Sequence, residues 1–425
     1  MHSDIITFVE TKMSKKLKAW FATFLFTSFL SFPSTAFSST VSTGSTNSSA
    51  SKISPQQLYH QTWQLVRDNY YDPSFNGKDW QSWEHKFDGQ LSTQAQAEKA
   101  ISQMLAELGD KYTSYLNPKA AVDEQNLKES NLVGVGIYLV QPAGKQHTIV
   151  ADVVEGGPAM QAGIHKNDEL LAVDGQTVAN LSPEEIGQKL LGNENSLVSL
   201  KLADKGQARD IKLKRQHFVV HPVTVKELPG NVGYIKLSSF IFDDAADEVR
   251  NALNRLSNKD GLILDLRENG GGLMLNALLI AEMFLDHGVI VRTLGRHGAA
   301  NDSVQGQQLS AQPLVVLVNQ NSASASEILS AALKEHKRAT IVGTRTFGKG
   351  LMQEVYPLKN GGSLHLTIAQ FMGPTGSKIN HVGVQPHVVV QTDDAQLNTA
   401  VNVLKGKMLR QITTAPTSEQ VPHGT

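Results

Sequence analysis

The run Gly261-Leu262-Ile263-Leu264-Asp265-Leu266, continuing as Arg267-Glu268-Asn269-Gly270-Gly271-Gly272, decides the fold. Its first half is short, apolar and uninterrupted, the pattern of a strand covered on both faces. Its second half is polar and ends in glycines, after which Leu273 to Phe284 reads as a helix. The same unit recurs downstream. Leu314 to Val318 is a second buried strand, Asn321-Ser322-Ala323-Ser324-Ala325-Ser326-Glu327 follows, and a helix runs from about Ser324 to His336. Thr340 to Val342 is a further strand, and Val232 to Leu237 with the helix Asp243 to Leu256 precedes the first unit. Strands alternating with helices predict an α/β layer built by crossovers. Met352 to Tyr356 and Ser363 to Ala369 read as further strands.

This region is the later part of 425 residues, a length that suggests two or three domains. Hydrophobic residues make up 40% and charged residues 19%, enough to bury a core. The formal net charge of −1 provides no basic field for nucleic acid. Cysteine is absent, which excludes disulfides, a thiol nucleophile, cysteine-ligated zinc and a lipidated N-terminal cysteine.

The first 36 residues have the layout of a secretory signal peptide. Lys15, Lys16 and Lys18 precede the uncharged, mostly apolar stretch Ala19 to Phe32, and Ser34-Thr35-Ala36 supplies small residues for cleavage. Met13 is an alternative start. Left uncleaved, the segment would tether the chain to a membrane; cleaved, it leaves no later segment able to span one. Residues 37–53 are a Ser/Thr-rich linker.

Residues 54–130 predict a small helical domain. Ser54-Pro55 opens one helix, with Tyr59, Trp63, Val66 and Tyr70 along one face. Thr93 and Gln96 form a capping box for a second, whose stripe is Ala97, Ile101, Met104, Leu105 and Leu108, with Gly109 as stop. From 131 to 203 short strands and glycine turns take over: Thr148 to Val154, Leu170 to Val173 before the hairpin signal Asp174-Gly175, a helix from Pro183 to Leu191, and a closing strand Leu197 to Leu202.

Common site signatures are missing. There is no Gly-x-Ser-x-Gly elbow and no His-Glu-x-x-His helix, and the 14 histidines are scattered. No metal and no cofactor are assigned. Gly343 to Lys349 matches the spacing of a phosphate-binding loop, but Gly350 stands where magnesium needs Ser or Thr, and a strand rather than a helix follows. Taken singly, the glycine triplet is also a tight turn, and the serine run a helix cap. Together the three loops sit at the ends of core strands, where α/β folds place ligands. They offer hydroxyls, one lysine and two sets of backbone amides, which suffices for acyl transfer by a serine with a lysine base.

The segment Gly134-Val135-Gly136-Ile137, with Val154-Glu155-Gly156-Gly157-Pro158-Ala159 and Asp168 to Gly175, resembles a PDZ domain of the bacterial protease type. The pairing of Ser322-Ala323-Ser324-Ala325-Ser326-Glu327 with Thr346-Phe347-Gly348-Lys349-Gly350, after Asp265 to Gly272, resembles the C-terminal processing (tail-specific) serine proteases. The likeness runs from residue 54 to 395. It includes Leu108-Gly109-Asp110-Lys111-Tyr112-Thr113 and Gly383-Val384-Gln385-Pro386, with His387 where the family often has Asp.

The resemblance implies an α+β multidomain chain: N-terminal helical segment, PDZ domain, a crotonase-like α/β protease core over 204–395, and a C-terminal segment, 396–425. It implies Ser324 as nucleophile, Lys349 as base, Gln353 in support, and an oxyanion hole from the amides of Gly271 and Ala325. Apolar neighbours such as Phe347 would lower the lysine's pKa. The loop of Gly134, Val135, Gly136 and Ile137 would bind a peptide C-terminus, with Val135 and Ile137 favouring an aliphatic last residue. The expected partners are protein substrates with apolar C-termini, with an adaptor protein as a further candidate and no nucleic acid. The expected location is the periplasm. The rival expectation is a catalytically silent PDZ scaffold.

Overall fold

The computed structural model describes residues 53–129, 132–141, 148–154, 156–181, 183–204 and 206–414. The expected signal peptide and all but the end of the linker lie outside them. Among the described residues no helix is long and apolar enough to cross a membrane. The chain forms two compact units, one of residues 125–221 and one that joins the segment up to 124 to everything from 222 onward.

The first unit is an antiparallel sheet with strands in the order Ile137–Val140, Thr148–Val153, Glu169–Val173, Leu197–Asp204 and Gln207–Lys214. The last of these lies past the expected closing strand and hairpins with it. Val198, Leu200 and Leu202 alternate inward from Leu197–Asp204, joining Val150, Leu170, Val173 and Ile186 in one core. Asp174 and Gly175 both have positive φ, 49° and 77°, as the two-residue hairpin they were expected to form requires. The helix Pro183–Leu190 lies beside the edge strand Ile137–Val140.

The second unit holds a six-stranded sheet: Val223–Leu228, Val232–Leu237, Gly261–Asp265, Leu314–Val318, Ala339–Gly343 and Val388–Val389. The first pair is antiparallel and the rest are parallel. Gly261–Asp265 and Leu314–Val318 are buried throughout, which explains their unbroken apolar runs. Helices Ala245–Arg255, Met274–Phe284 and Ala325–Glu335 make the crossovers. The helix Asp393–Thr414 adds Ala400 and Leu404 to the core of Ile263, Val315, Leu317 and Val342.

A second, antiparallel sheet runs Ser114–Leu116, Ser363–Met372, Val289–Gly295, Gly298–Ser303, with Leu351–Pro357 also pairing to Ser363–Met372. The helices Pro55–Asn69 and Gln94–Glu107 form as the caps predict, each with a complete capping box. Their stripe does not close on itself. Tyr59, Trp63, Ile101 and Met104 share one core with Leu364 and Leu366 of the second sheet and Leu358 just past its strand Leu351–Pro357. Two helices of this length bury too little to stand alone. This N-terminal leader therefore reaches the second sheet, and Tyr71 N donates to Thr367 O at 3.0 Å.

Candidate active site

Parallel pairing brings the carboxyl ends of Gly261–Asp265, Leu314–Val318 and Ala339–Gly343 side by side. Three loops leave from there: glycine (266–272), serine (319–324) and lysine (344–350).

Internal hydrogen bonds fix the glycine loop to the serine loop. Asn319 and Asn321 donate side-chain amides to the two oxygens of Glu268, and Ala323 N donates to Asn269 O at 3.0 Å. Gly272 has φ +145°, and a Cβ there would lie 2.1 Å from the Phe240 carbonyl carbon. Only glycine fits that approach.

The three serines of the run are not equivalent. Ser322 Oγ donates to Leu266 O at 2.8 Å and accepts from Asn319 N. Ser326 Oγ donates to Asn269 O at 2.8 Å. Ser324 lines a small pocket with Gly272, Ala325, Gln353 and apolar side chains including Ile328 and Phe371. It caps the helix Ala325–Glu335 with φ 53° and ψ −111°, outside the regions a side chain normally permits. Such strain persists only where surroundings over-determine it, and it clusters at functional sites.

Glu327 supplies that over-determination. Its buried carboxylate accepts from Ser324 N, Thr346 Oγ1, Gly348 N and Lys349 N. Burial raises its pKa to about 7, against the pull of these four donors. The same bonds dispose of the phosphate-loop resemblance. The Gly348 and Lys349 amides that would cradle a phosphate are spent on Glu327, and the strand Leu351–Pro357 follows where a helix is needed.

Lys349 is 3% exposed. Its Nζ lies 4.3 Å from the centre of the Tyr112 ring. Desolvation holds its pKa well below the ordinary lysine value; the charges of Asp110 and Glu327 oppose this and Lys111 reinforces it. Phe347 is not the burying neighbour expected of it, being 41% exposed. Tyr112 of the leader covers the amine instead.

Gln353, also buried, donates its amide NH₂ to Thr367 Oγ1 at 3.2 Å. Thr367 Oγ1 donates to Asp110 Oδ2 at 2.6 Å, and Thr113 Oγ1 donates to the same oxygen at 2.7 Å. Asp110, Tyr112 and Thr113 belong to a motif noted in the sequence but given no role. Nothing in their spacing shows that they meet residues some 240 positions later.

Two expected residues sit differently from their assigned parts. Gly271 N donates to Asn269 Oδ1 at 2.9 Å, and it is Gly272 that lines the pocket beside Ser324. Val135 is 1% exposed and belongs to the core of its unit, because its loop turns the side chain inward. His387 pairs with Ile341, accepting at Nδ1 from its N–H, and extends the sheet. Among the described residues one cluster of metal-ligating types exists, His60, His85 and Asp88; none of the three lines the Ser324 pocket.

Known proteins resemble this chain over most of its length. Residues 231–390 match the model of peptidase family S41, 149–204 a PDZ domain and 53–109 the Tricorn protease C1 domain. A carboxyl-terminal-processing protease of Synechocystis sp. is 36% identical over 373 residues, covering 83% of this chain and 87% of its own. Another, from Picosynechococcus sp., is 38% identical over 345 residues, covering 79% and 83%. The solved structure of the photosystem II D1 C-terminal processing protease superimposes with a TM-score of 0.58 at 34% identity, covering 83% of this chain and 97% of that one. A serine strained at a helix start, a desolvated lysine on the adjacent loop and this breadth of likeness agree: the chain is a PDZ-containing serine peptidase that belongs to the carboxyl-terminal-processing proteases of family S41.

Proposed function

We propose that the chain is exported and cleaves proteins near their C-termini with Ser324 and Lys349 as a catalytic dyad. The observation that carries this is the difference between the serines. Ser322 and Ser326 spend their hydroxyls on backbone carbonyls, whereas Ser324 faces the pocket from a strained cap.

Neutral Lys349 takes the proton of Ser324 Oγ as that oxygen attacks the peptide carbonyl. The ammonium then gives the proton to the departing amine, and a water, deprotonated by the same lysine, releases the acyl group. Gln353 orients the amine. The negative oxygen is held by Ala325 N–H, at the start of a helix where amides lack intrahelical acceptors. A second donor comes from the Gly270–Gly272 turn. Each such donor supplies roughly 3 kcal/mol of transition-state stabilisation.

The PDZ domain selects substrates by their free C-terminus. Gly136 has φ +72° and passes the chain into Ile137–Val140, an edge strand of its sheet. An extended peptide can add there as a further strand, its carboxylate on the preceding loop. With Val135 buried, selection of an apolar last residue rests on Ile137 and its surroundings. Residues 1–36 direct export, which makes periplasmic proteins the substrates.

The test is cleavage of a protein substrate with a free apolar C-terminus by wild type and Ser324→Ala, each purified and folded. Loss of cleavage with retained substrate binding is expected. Undiminished cleavage by Ser324→Ala would remove the dyad.

A further inference from the structure

We infer that Asp110, reaching the core from the N-terminal helical segment, is a positioning residue that fixes through Thr367 which end of the Gln353 amide faces the catalytic amine. The inference rests on the proposed Ser324–Lys349 dyad.

An ionised carboxylate only accepts. Asp110 Oδ2 accepts a hydrogen bond from the Thr367 hydroxyl, at 2.6 Å. A hydroxyl has one proton, so Thr367 Oγ1 is left as an acceptor toward Gln353, at 3.2 Å. Only the NH₂ end of Gln353 can satisfy it. Because the amide is planar, fixing the NH₂ fixes the carbonyl at the opposite end. A carbonyl can accept a hydrogen bond from the Lys349 amine; an NH₂ cannot. Thr113 locks the relay. Its hydroxyl donates to the same Asp110 oxygen, at 2.7 Å, and accepts from Thr367 N at 3.1 Å. Asp110 Oδ1 is held by Tyr112 N at 2.9 Å. One carboxylate thus orders two hydroxyls, and through them a glutamine two strands away.

The same segment faces the lysine directly. Tyr112 lays its ring 4.3 Å from Nζ, and Asp110 and Lys111 of the leader, with Glu327 of the serine helix, are the charges acting on it. Asp110 favours the ammonium, so its removal makes the amine easier to keep neutral.

Three variants separate the two effects. Thr367→Val breaks the relay and keeps the charge. Asp110→Asn removes the charge and lets its own NH₂ donate to Thr367, reversing the relay. Thr367→Ser keeps both. The expected result is a kcat at least about ten-fold lower for Thr367→Val and Asp110→Asn, with KM within two-fold of wild type, and wild-type kcat for Thr367→Ser. The acid limb of the kcat profile should move to lower pH in Asp110→Asn and stay in Thr367→Val. If either of the first two fails to fold by thermal unfolding, the other, compared with Thr367→Ser, decides. Wild-type kcat in the folded disruptive variants overturns the inference, as does a Thr367→Ser as slow as Thr367→Val. Ser324→Ala is measured alongside: if it remains active the dyad itself falls and takes this inference with it. If it is dead while the relay variants are normal, only the inference falls.

Discussion

The backbone N–H groups of Ser324 and Lys349 meet on one oxygen, Glu327 Oε2, at 2.8 and 2.9 Å. Residues 25 positions apart are thereby held in register by one buried carboxylate. Its other oxygen holds Gly348 N and Thr346 Oγ1. An anion that accepts four donors inside the fold stiffens both loops at once, at the cost of desolvating it.

Replacing Glu327 by Gln should therefore damage the site from within. The amide NH₂ would confront donors where the carboxylate accepted them, leaving buried N–H groups unpaired at about 1–3 kcal/mol each. Expected are a kcat reduced about a hundred-fold or more and a lower melting temperature. The pH dependence has a defined sign. The folded pKa, about 7, lies above the ordinary 4.5, so the native state binds more protons between these values. Stability should fall as pH rises from about 4.5 to about 7 and level off above. This component should vanish in Glu327→Gln, as thermal melts across that range would reveal.

The serine run makes a second prediction. Ser324→Ala should abolish cleavage and leave the protein folded, since the Ser324 N–H that anchors to Glu327 is kept. Ser322→Ala removes a hydroxyl that both donates to Leu266 O and accepts from Asn319 N. It should cost about 1–3 kcal/mol of stability and keep substantial activity at low temperature. Full loss of activity in a folded Ser322→Ala would contradict the division of roles.

As the proposed base, Lys349 would have to be neutral to act. Because burial lowers its pKa well below the ordinary value, kcat should rise with pH and reach its plateau before the range where an exposed lysine titrates. Lys349→Ala should be as inactive as Ser324→Ala, since the two work as one unit. Lys349→Arg should fail as well, because a guanidinium stays protonated. Chelators should leave the rate unchanged; a loss in EDTA restored by zinc would point to a different chemistry.

The elements that were legible are those specified locally. The capping residues Ser54 and Thr93, the Asp174-Gly175 hairpin and the buried runs at 261 and 314 each carry their structure in a few adjacent side chains. The relay from Asp110 to Gln353 was not legible, because it depends on a sheet that pairs Ser114–Leu116 with Ser363–His365. Likewise Val135 reads as an apolar loop residue until the core beneath it is known. Phe347 reads as a burying neighbour until the ring of Tyr112 is found in that place. Gly271 could not be told from Gly272 by sequence. The difference is one hydrogen bond to Asn269.

The PDZ domain yields the last prediction. If it grips a free carboxylate, amidating a substrate's C-terminus should raise KM with little change in kcat for the bound substrate. Placing Asp at the last positions should do the same by bringing charge onto an apolar edge. Gly136 gives the matching change on the enzyme. Its φ of +72° is strained for any other residue, and a Cβ would come within 3.1 Å of Val154 Cβ. Gly136→Ala should distort the loop and weaken capture of free-ended peptides, with the amidated form little affected. A peptide-binding titration of the Ser324→Ala protein measures this without turnover. Equal affinity for free and amidated peptides would mean that the terminus is not what the domain reads. Selection would then fall to the pocket around Ser324, where Ile328, Met352 and Phe371 could favour apolar side chains next to the cleaved bond.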